Sequence, residues 1–264
     1  MDTRRQVALL ATALFAVALN PATVQAQVDQ SVLAQQILGR NARERSRALE
    51  AAQALGPQQI GPEVRAALIK ALERENRVQA DRYHADLRGE ALKPLEDPEF
   101  IARVSRVVAE LRDPRAIPAL VGALGTGSPP IRALVDFGEE AVPALLAAVR
   151  SAEATHYVVD DALLALRFMV EGAGPHPLSA GTLNEIRLAA RQRLTGKPYF
   201  TTLWRAIDLA VALHDAELRR IVEAIASDRK EVVARGIEDP ETIEETQRRA
   251  AQRLAGVPPK PRRL

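Results

Sequence analysis

Cysteine is absent from the chain. Disulfides, thiol chemistry and Cys-ligated zinc are therefore excluded, and the fold is indifferent to the redox state of its compartment. Aromatic residues supply only 3% of the sequence, so the core cannot rest on large rings, which bury the most area per side chain. There is no glycine-rich phosphate loop ending in Gly-Lys-Ser/Thr and no Gly-x-Ser-x-Gly nucleophile turn. Nor is there the strict apolar–polar alternation that marks a half-buried strand. Neither sign of charge dominates: 36 basic residues face 34 acidic ones. The signs alternate along the chain, as in Arg43-Glu44-Arg45 and Glu73-Arg74-Glu75, whereas a nucleic-acid binder gathers its positive charge on one face. The composition thus argues against a nucleic-acid partner, and no residue is assigned a catalytic, cofactor-binding or metal-binding role.

What the chain has is helix formers. Ala, Leu, Arg and Glu dominate its 264 residues, and these lose little side-chain freedom on entering a helix. A core of Ala, Leu, Val and Ile suits helices packed closely in thin layers.

The N-terminus has the pattern of a secretory leader. Arg4 and Arg5 precede an apolar run over residues 7–19 that is interrupted only by Thr12. Those 13 residues fall short of the roughly 20 that a membrane span needs. Asn20 and Pro21 end the run, and Val24-Gln25-Ala26 places small residues where a signal peptidase reads them. Cleavage between Ala26 and Gln27 is expected, followed by release to the periplasm or the outside with no stable membrane anchor. Thr3-Arg4-Arg5 also hints at a twin-arginine route.

An internal repeat organises the middle of the chain. Ala116-Ile117-Pro118-Ala119-Leu120-Val121-Gly122-Ala123-Leu124 is echoed 25 residues later by Ala141-Val142-Pro143-Ala144-Leu145-Leu146-Ala147-Ala148-Val149. Fainter copies occur at Leu68-Ile69-Lys70-Ala71-Leu72 and Ile221-Val222-Glu223-Ala224-Ile225. Proline costs little in the first turn of a helix, where the amides have no intrahelical partner. Leu120, Val121 and Leu124 then share a face, and Ala123 beside them lets a neighbouring helix approach. Each copy follows another apolar helix, at 100–111 before Asp113-Pro114 and at 131–137 before Gly138, a plausible helix stop. The unit is helix, tight turn, helix.

From Asp113-Pro114-Arg115 through Leu124 the chain resembles the second helix of a bacterial HEAT-like repeat of the phycobilin-lyase type. The stretch from Gly138-Glu139-Glu140 to Leu146 is similar to a shorter variant with a Gly turn. The resemblance is specific over about residues 99–150. It implies an all-α, right-handed α-solenoid with a concave partner-binding face; it implies no reaction, and nothing in the chain points to a chromophore.

The expected plan is a leader over 1–26, an α-solenoid of about five HEAT-like helix pairs over 27–255, and a disordered basic tail over 256–264. The pairs are 42–55 with 62–80, 100–111 with 114–124, 131–137 with 141–149, 158–170 with 183–194, and 203–213 with 218–226. A last amphipathic helix runs from Asp239-Pro240 to about Leu254. Residues 77–97 read as an insertion or a long helix end. The expected function is a non-catalytic scaffold that binds a protein or peptide along the concave face.

Several residues stand out as candidate contacts or ligands. His156 and Asp160 share a helix face and Asp161 adjoins them, but a metal would need further ligands; an acid-rich helix start is favoured by the helix dipole. His214-Asp215 lies at a turn, with no nucleophile to complete a triad, and His214 is expected to cap the last carbonyls of its helix. These two pairs mark where an enzymatic, small-ligand or metal-carrying alternative would have its site. Phe200, Leu203, Trp204, Ile207 and Val211 follow helical spacing and are expected in the core. Tyr199, after Lys197-Pro198, and His176, in the connector 172–177, are the candidate contact residues. The Arg-rich C-terminal helix and tail, with Arg248-Arg249 and Arg262-Arg263, would carry a polyanion-binding alternative.

Overall fold

The computed structural model describes residues 21–92 and 94–256, with side chains from Gln30 onward. Residues 1–20 and 257–264, which hold the charged and apolar parts of the leader and most of the basic tail, lie outside the described residues. Among the described residues every regular element is a helix: α1 (Pro21–Leu38), α2 (Ala42–Leu55), α3 (Pro62–Leu87), α4 (Phe100–Glu110), α5 (Ile117–Gly122), α6 (Ser128–Phe137), α7 (Val142–Arg150), α8 (His156–Val170), α9 (Ala180–Thr195), α10 (Phe200–Ala212), α11 (Ala216–Ser227), α12 (Arg229–Ala234) and α13 (Pro240–Leu254). Short 3-10 turns, Pro114–Ala116 and Gly138–Ala141, lead into α5 and α7. None of these helices is long and apolar enough to cross a membrane. Every segment expected to be helical is helical. Two helices were not expected: α1, whose backbone runs through Ala26–Gln27, where cleavage is expected, and the short α12. Of the polar stretch 77–97, residues 77–87 are the end of α3, and the described residues after them belong to no helix until α4.

Local chemistry sets the helix boundaries. Asn41, Thr155, Ser179, Asp215, Asp228 and Asp239 each accept a hydrogen bond from a first-turn amide of the helix that follows, which satisfies donors that have no intrahelical partner. Proline occupies the first turn of α3, α5, α6, α7 and α13. Gly138 ends α6 at φ 61°, in the left-handed region that favours glycine.

The helices form two rows. α2, α4, α6, α8 and α10 touch in succession, and α1, α3, α5, α7, α9 and α11 do likewise. Cross-contacts join each helix to near neighbours in the chain, and the substantial ones reach no further than three helices along. The apolar core lies between the rows. α4 buries Phe100, Ile101, Val104, Val107 and Val108, a stripe at helical spacing. The repeat buries Leu120 and Leu124 in one copy and Leu145 and Val149 in the other.

The turn before α5 should be sensitive to acid. Asp113 accepts hydrogen bonds from the Arg115 backbone amide at 3.1 Å and from Arg115 Nε at 2.9 Å. The Arg115 side chain is the main reason its carboxyl is held below the ordinary carboxylate value, although burial opposes the shift. Stability from a lowered carboxylate pKa is present above the unfolded value and is lost as pH falls through the folded one. Asp113→Ala should cost about 1 kcal/mol near neutrality. In urea titrations the variant should also lose less stability than the wild type between about pH 5 and pH 2.

Candidate functional site

The length of α3 creates a cavity. Its buried residues, Val64 to Leu72, all lie in its first half. The second half continues beyond the packed layer and overhangs the much shorter α5 and α7. A cavity of about 940 Å³ lies beneath it, lined by Asn76, Arg77, Arg82 and Tyr83 of α3 and by Tyr157 of α8. Its floor is small and apolar. Pro118 and Gly122 come from one copy of the repeat, and Ala144, Ala147 and Ala148 from the next. Gly122 and Ala147 occupy equivalent positions in the two copies. A Cβ on Gly122 would lie 2.5 Å from Asn76 Nδ2, a side chain that donates to the Ala119 carbonyl at 2.8 Å and ties α3 to α5.

All three tyrosines of this aromatic-poor chain converge here. Tyr83 Oη and His156 Nδ1 are hydrogen-bonded at 2.9 Å. The His156 ring lies 3.9 Å from Tyr157 and 4.4 Å from Tyr199, centroid to centroid. Tyr199 contacts Phe200, which meets Trp204 edge-on at 5.1 Å. Three elements supply the cluster: the overhang of α3, the first turn of α8 and the cap of α10. Tyr157 is 58% exposed and Tyr199 51%, so each offers a ring to solvent while its other contacts hold it in place. His84 Nε2 also reaches the Glu153 carbonyl at 3.1 Å, a second tie from the overhang to the segment before α8. Tyr83→Phe should cost about 1 kcal/mol, and hydrogen exchange should show faster opening over residues 77–87 with the rest unchanged.

The acids after His156 orient the cluster and are not offered to a ligand. Asp160 accepts hydrogen bonds from both Thr201 Oγ1 and Thr202 Oγ1 at 2.5 Å, and Asp161 accepts one from the Gly125 amide at 2.9 Å. Both are buried. Their burial against neighbouring elements, more than the helix dipole, accounts for them. Gly125 has φ 94°, and a Cβ there would meet Tyr157 Cβ at 2.9 Å, so glycine lets Tyr157 stand against this turn. Among the described residues no group of three or more His, Cys, Asp and Glu side chains could hold a metal ion.

The structure keeps the other candidates apart from the cluster. His214 is exposed at φ 51°, and its backbone amide caps the Val211 carbonyl. Asp215 accepts from the amides of Glu217 and Leu218, both at 3.0 Å, as the cap of α11. His176 is exposed in the connector after α8, at the opposite end of that helix from His156, a helix about 22 Å long at 1.5 Å per residue. Leu203 and Ile207 are fully buried, as expected, whereas Phe200 and Trp204 are only half-buried. Trp204 Nε1 donates to Thr246 Oγ1 at 2.8 Å, and the Arg249 guanidinium covers its ring at 5.5 Å. Sequence reasoning singled out Tyr199 but missed Tyr83, His84 and Tyr157 as contacts. The available signal was scarcity: the chain has three tyrosines in all. No protein-family description, curated protein or solved structure matches the chain.

Proposed function

We propose that this chain is an exported, non-catalytic helical-repeat module that holds a segment of a partner polypeptide in the cavity beneath α3. On this reading the two rows are a short α-solenoid of HEAT-like pairs, since stacked repeats contact only their neighbours and present an extended binding surface. The leader is removed between Ala26 and Gln27, and the module works in the periplasm or outside the cell. The observation that carries the reading is the apolar cavity lined by Tyr83 and the half-exposed Tyr157. Tyrosine is favoured where a partner docks, because it offers a large rigid ring and a polar tip. Affinity capture with the purified protein tests it. A polypeptide should be retained in moderate salt and lost from Tyr157→Ala.

A second reading rests on the same cavity, whose size falls within the range of small-ligand pockets: a carrier of a small apolar ligand next to His156. It predicts a compound that co-purifies stoichiometrically and is released by extraction, with no polypeptide retained.

A further inference from the structure

We infer that the chain's own C-terminal segment, Val257–Leu264, folds back along α13 and covers the row of rings Trp204, Phe200 and Tyr199. This surface is separate from the cavity, and the inference does not depend on the polypeptide-binding reading. The rings touch in succession, Trp204 to Phe200 at 5.1 Å and Phe200 to Tyr199 at 4.6 Å, and Tyr199 at the end of the row is 51% exposed. The segment reads Val257-Pro258-Pro259-Lys260-Pro261-Arg262-Arg263-Leu264. Proline fixes its own φ and biases the residue before it toward extended backbone, so residues 257–261 are all predisposed to polyproline II. A segment of this kind loses little entropy on docking, and aromatic-lined surfaces are what proline-rich segments bind.

Reach and charge agree on one register. α10 and α13 run in the same direction: Trp204 Nε1 donates to Thr246 Oγ1, and one turn further along α10 Asp208 meets Arg249 and Arg253. Phe200 and Tyr199 therefore lie back toward the start of α13. Gly256 follows the last turn of α13 at φ 77°, the left-handed conformation that takes a chain off its helix. From Gly256 back to Thr246 is about 15 Å along the helix, which polyproline II covers in about five residues. Pro261 then stands beside Trp204, and Arg262 and Arg263 stand beside Phe200 and Tyr199. The first half of α13 carries Glu241, Glu244 and Glu245, and its second half carries Arg248, Arg249 and Arg253. The reversed segment brings its arginines to the acidic half and its uncharged start to the basic half, a complementarity that fixes its direction. A guanidinium from Arg262 or Arg263 also gains by lying over the exposed Tyr199 ring.

Acrylamide quenching of Trp204, the sole tryptophan, tests the inference, because the quencher is uncharged and the ring lies in the covered row. The full chain is compared with Pro258→Gly/Pro259→Gly/Pro261→Gly and with Arg262→Glu/Arg263→Glu, which leave every described residue unchanged. Quenching should be about twofold faster in both variants, as the half-buried ring loses its cover. Adding the free peptide of residues 257–264 should restore the slower quenching, which shows that the variants keep the docking surface. In the full chain the protection should be the same at every protein concentration. Protection that grows with protein concentration would overturn the fold-back in favour of the segment of a second copy. Equal quenching in all three chains would mean that the segment does not cover the rings and would overturn the inference outright.

Discussion

Asp208→Ala should lose about 3–5 kcal/mol of folding stability, the cost of breaking a buried ion pair from one side. Asp208 is 1% exposed, and four guanidinium groups lie within 4.0 Å of its carboxylate: Arg249 at 2.6 Å, Arg253 at 3.1 Å, Arg167 at 3.8 Å and Arg205 at 4.0 Å. They come from α8, α10 and α13, so one carboxylate ties three helices together. Burial lowers the Arg253 pKa from its ordinary value; Asp208 pulls it back up, while Arg167 and Arg249 push it further down. Without the carboxylate, like charges remain close together in a partly dry site. Asp208→Asn keeps the shape and removes the charge, so it should lose most of the same stability. Urea unfolding followed by fluorescence measures both variants, because the sole tryptophan, Trp204, sits under Arg249 in the same assembly. A loss below about 1 kcal/mol, the range of exposed pairs, would mean that the arginines find other compensation.

Phe100→Ala should cost a comparable 3–5 kcal/mol, through lost burial and the cavity left behind. Phe100 is 1% exposed at the start of α4, and the Arg45 guanidinium of α2 lies 5.1 Å from its ring centroid. The effect should also be local. Helices that contact only near neighbours share stability by proximity, as in repeat arrays. Hydrogen exchange in Phe100→Ala should therefore show α2–α4 losing protection well before α9–α13. Uniform loss along the chain would instead describe a single all-or-none core.

The secondary structure was largely legible in the sequence, because proline, capping side chains and apolar spacing act locally. The caps at Asp113, Asp215 and Asp239 and the stop at Gly138 all stand where their residue types suggest. α1 was less legible. Apolar residues are spread around much of its circumference, and a leader pattern overlaps its first half. The cavity was the least legible part. Tyr83 and His156 are 73 residues apart, and nothing in either neighbourhood announces the other. The cavity arises because α3 is long where α5 and α7 are short, a difference that becomes a space only once the helices are stacked. Asp160 and Asp161 illustrate the same limit. Their spacing from His156 suggested ligands or a helix start, and only the packed structure brings Thr201, Thr202 and Gly125 to them.

On the function proposed above, the cavity beneath α3 holds a polypeptide. Site-directed photocrosslinking in the native cell tests it most directly, with a benzophenone amino acid placed at Tyr157 and, as a control, at the exposed Arg219 on α11. Irradiation should give a discrete, larger polypeptide adduct from position 157 that competes away with unlabelled wild-type protein, and none from position 219. Absence of any polypeptide adduct at 157, or identical adducts at both positions, would contradict it.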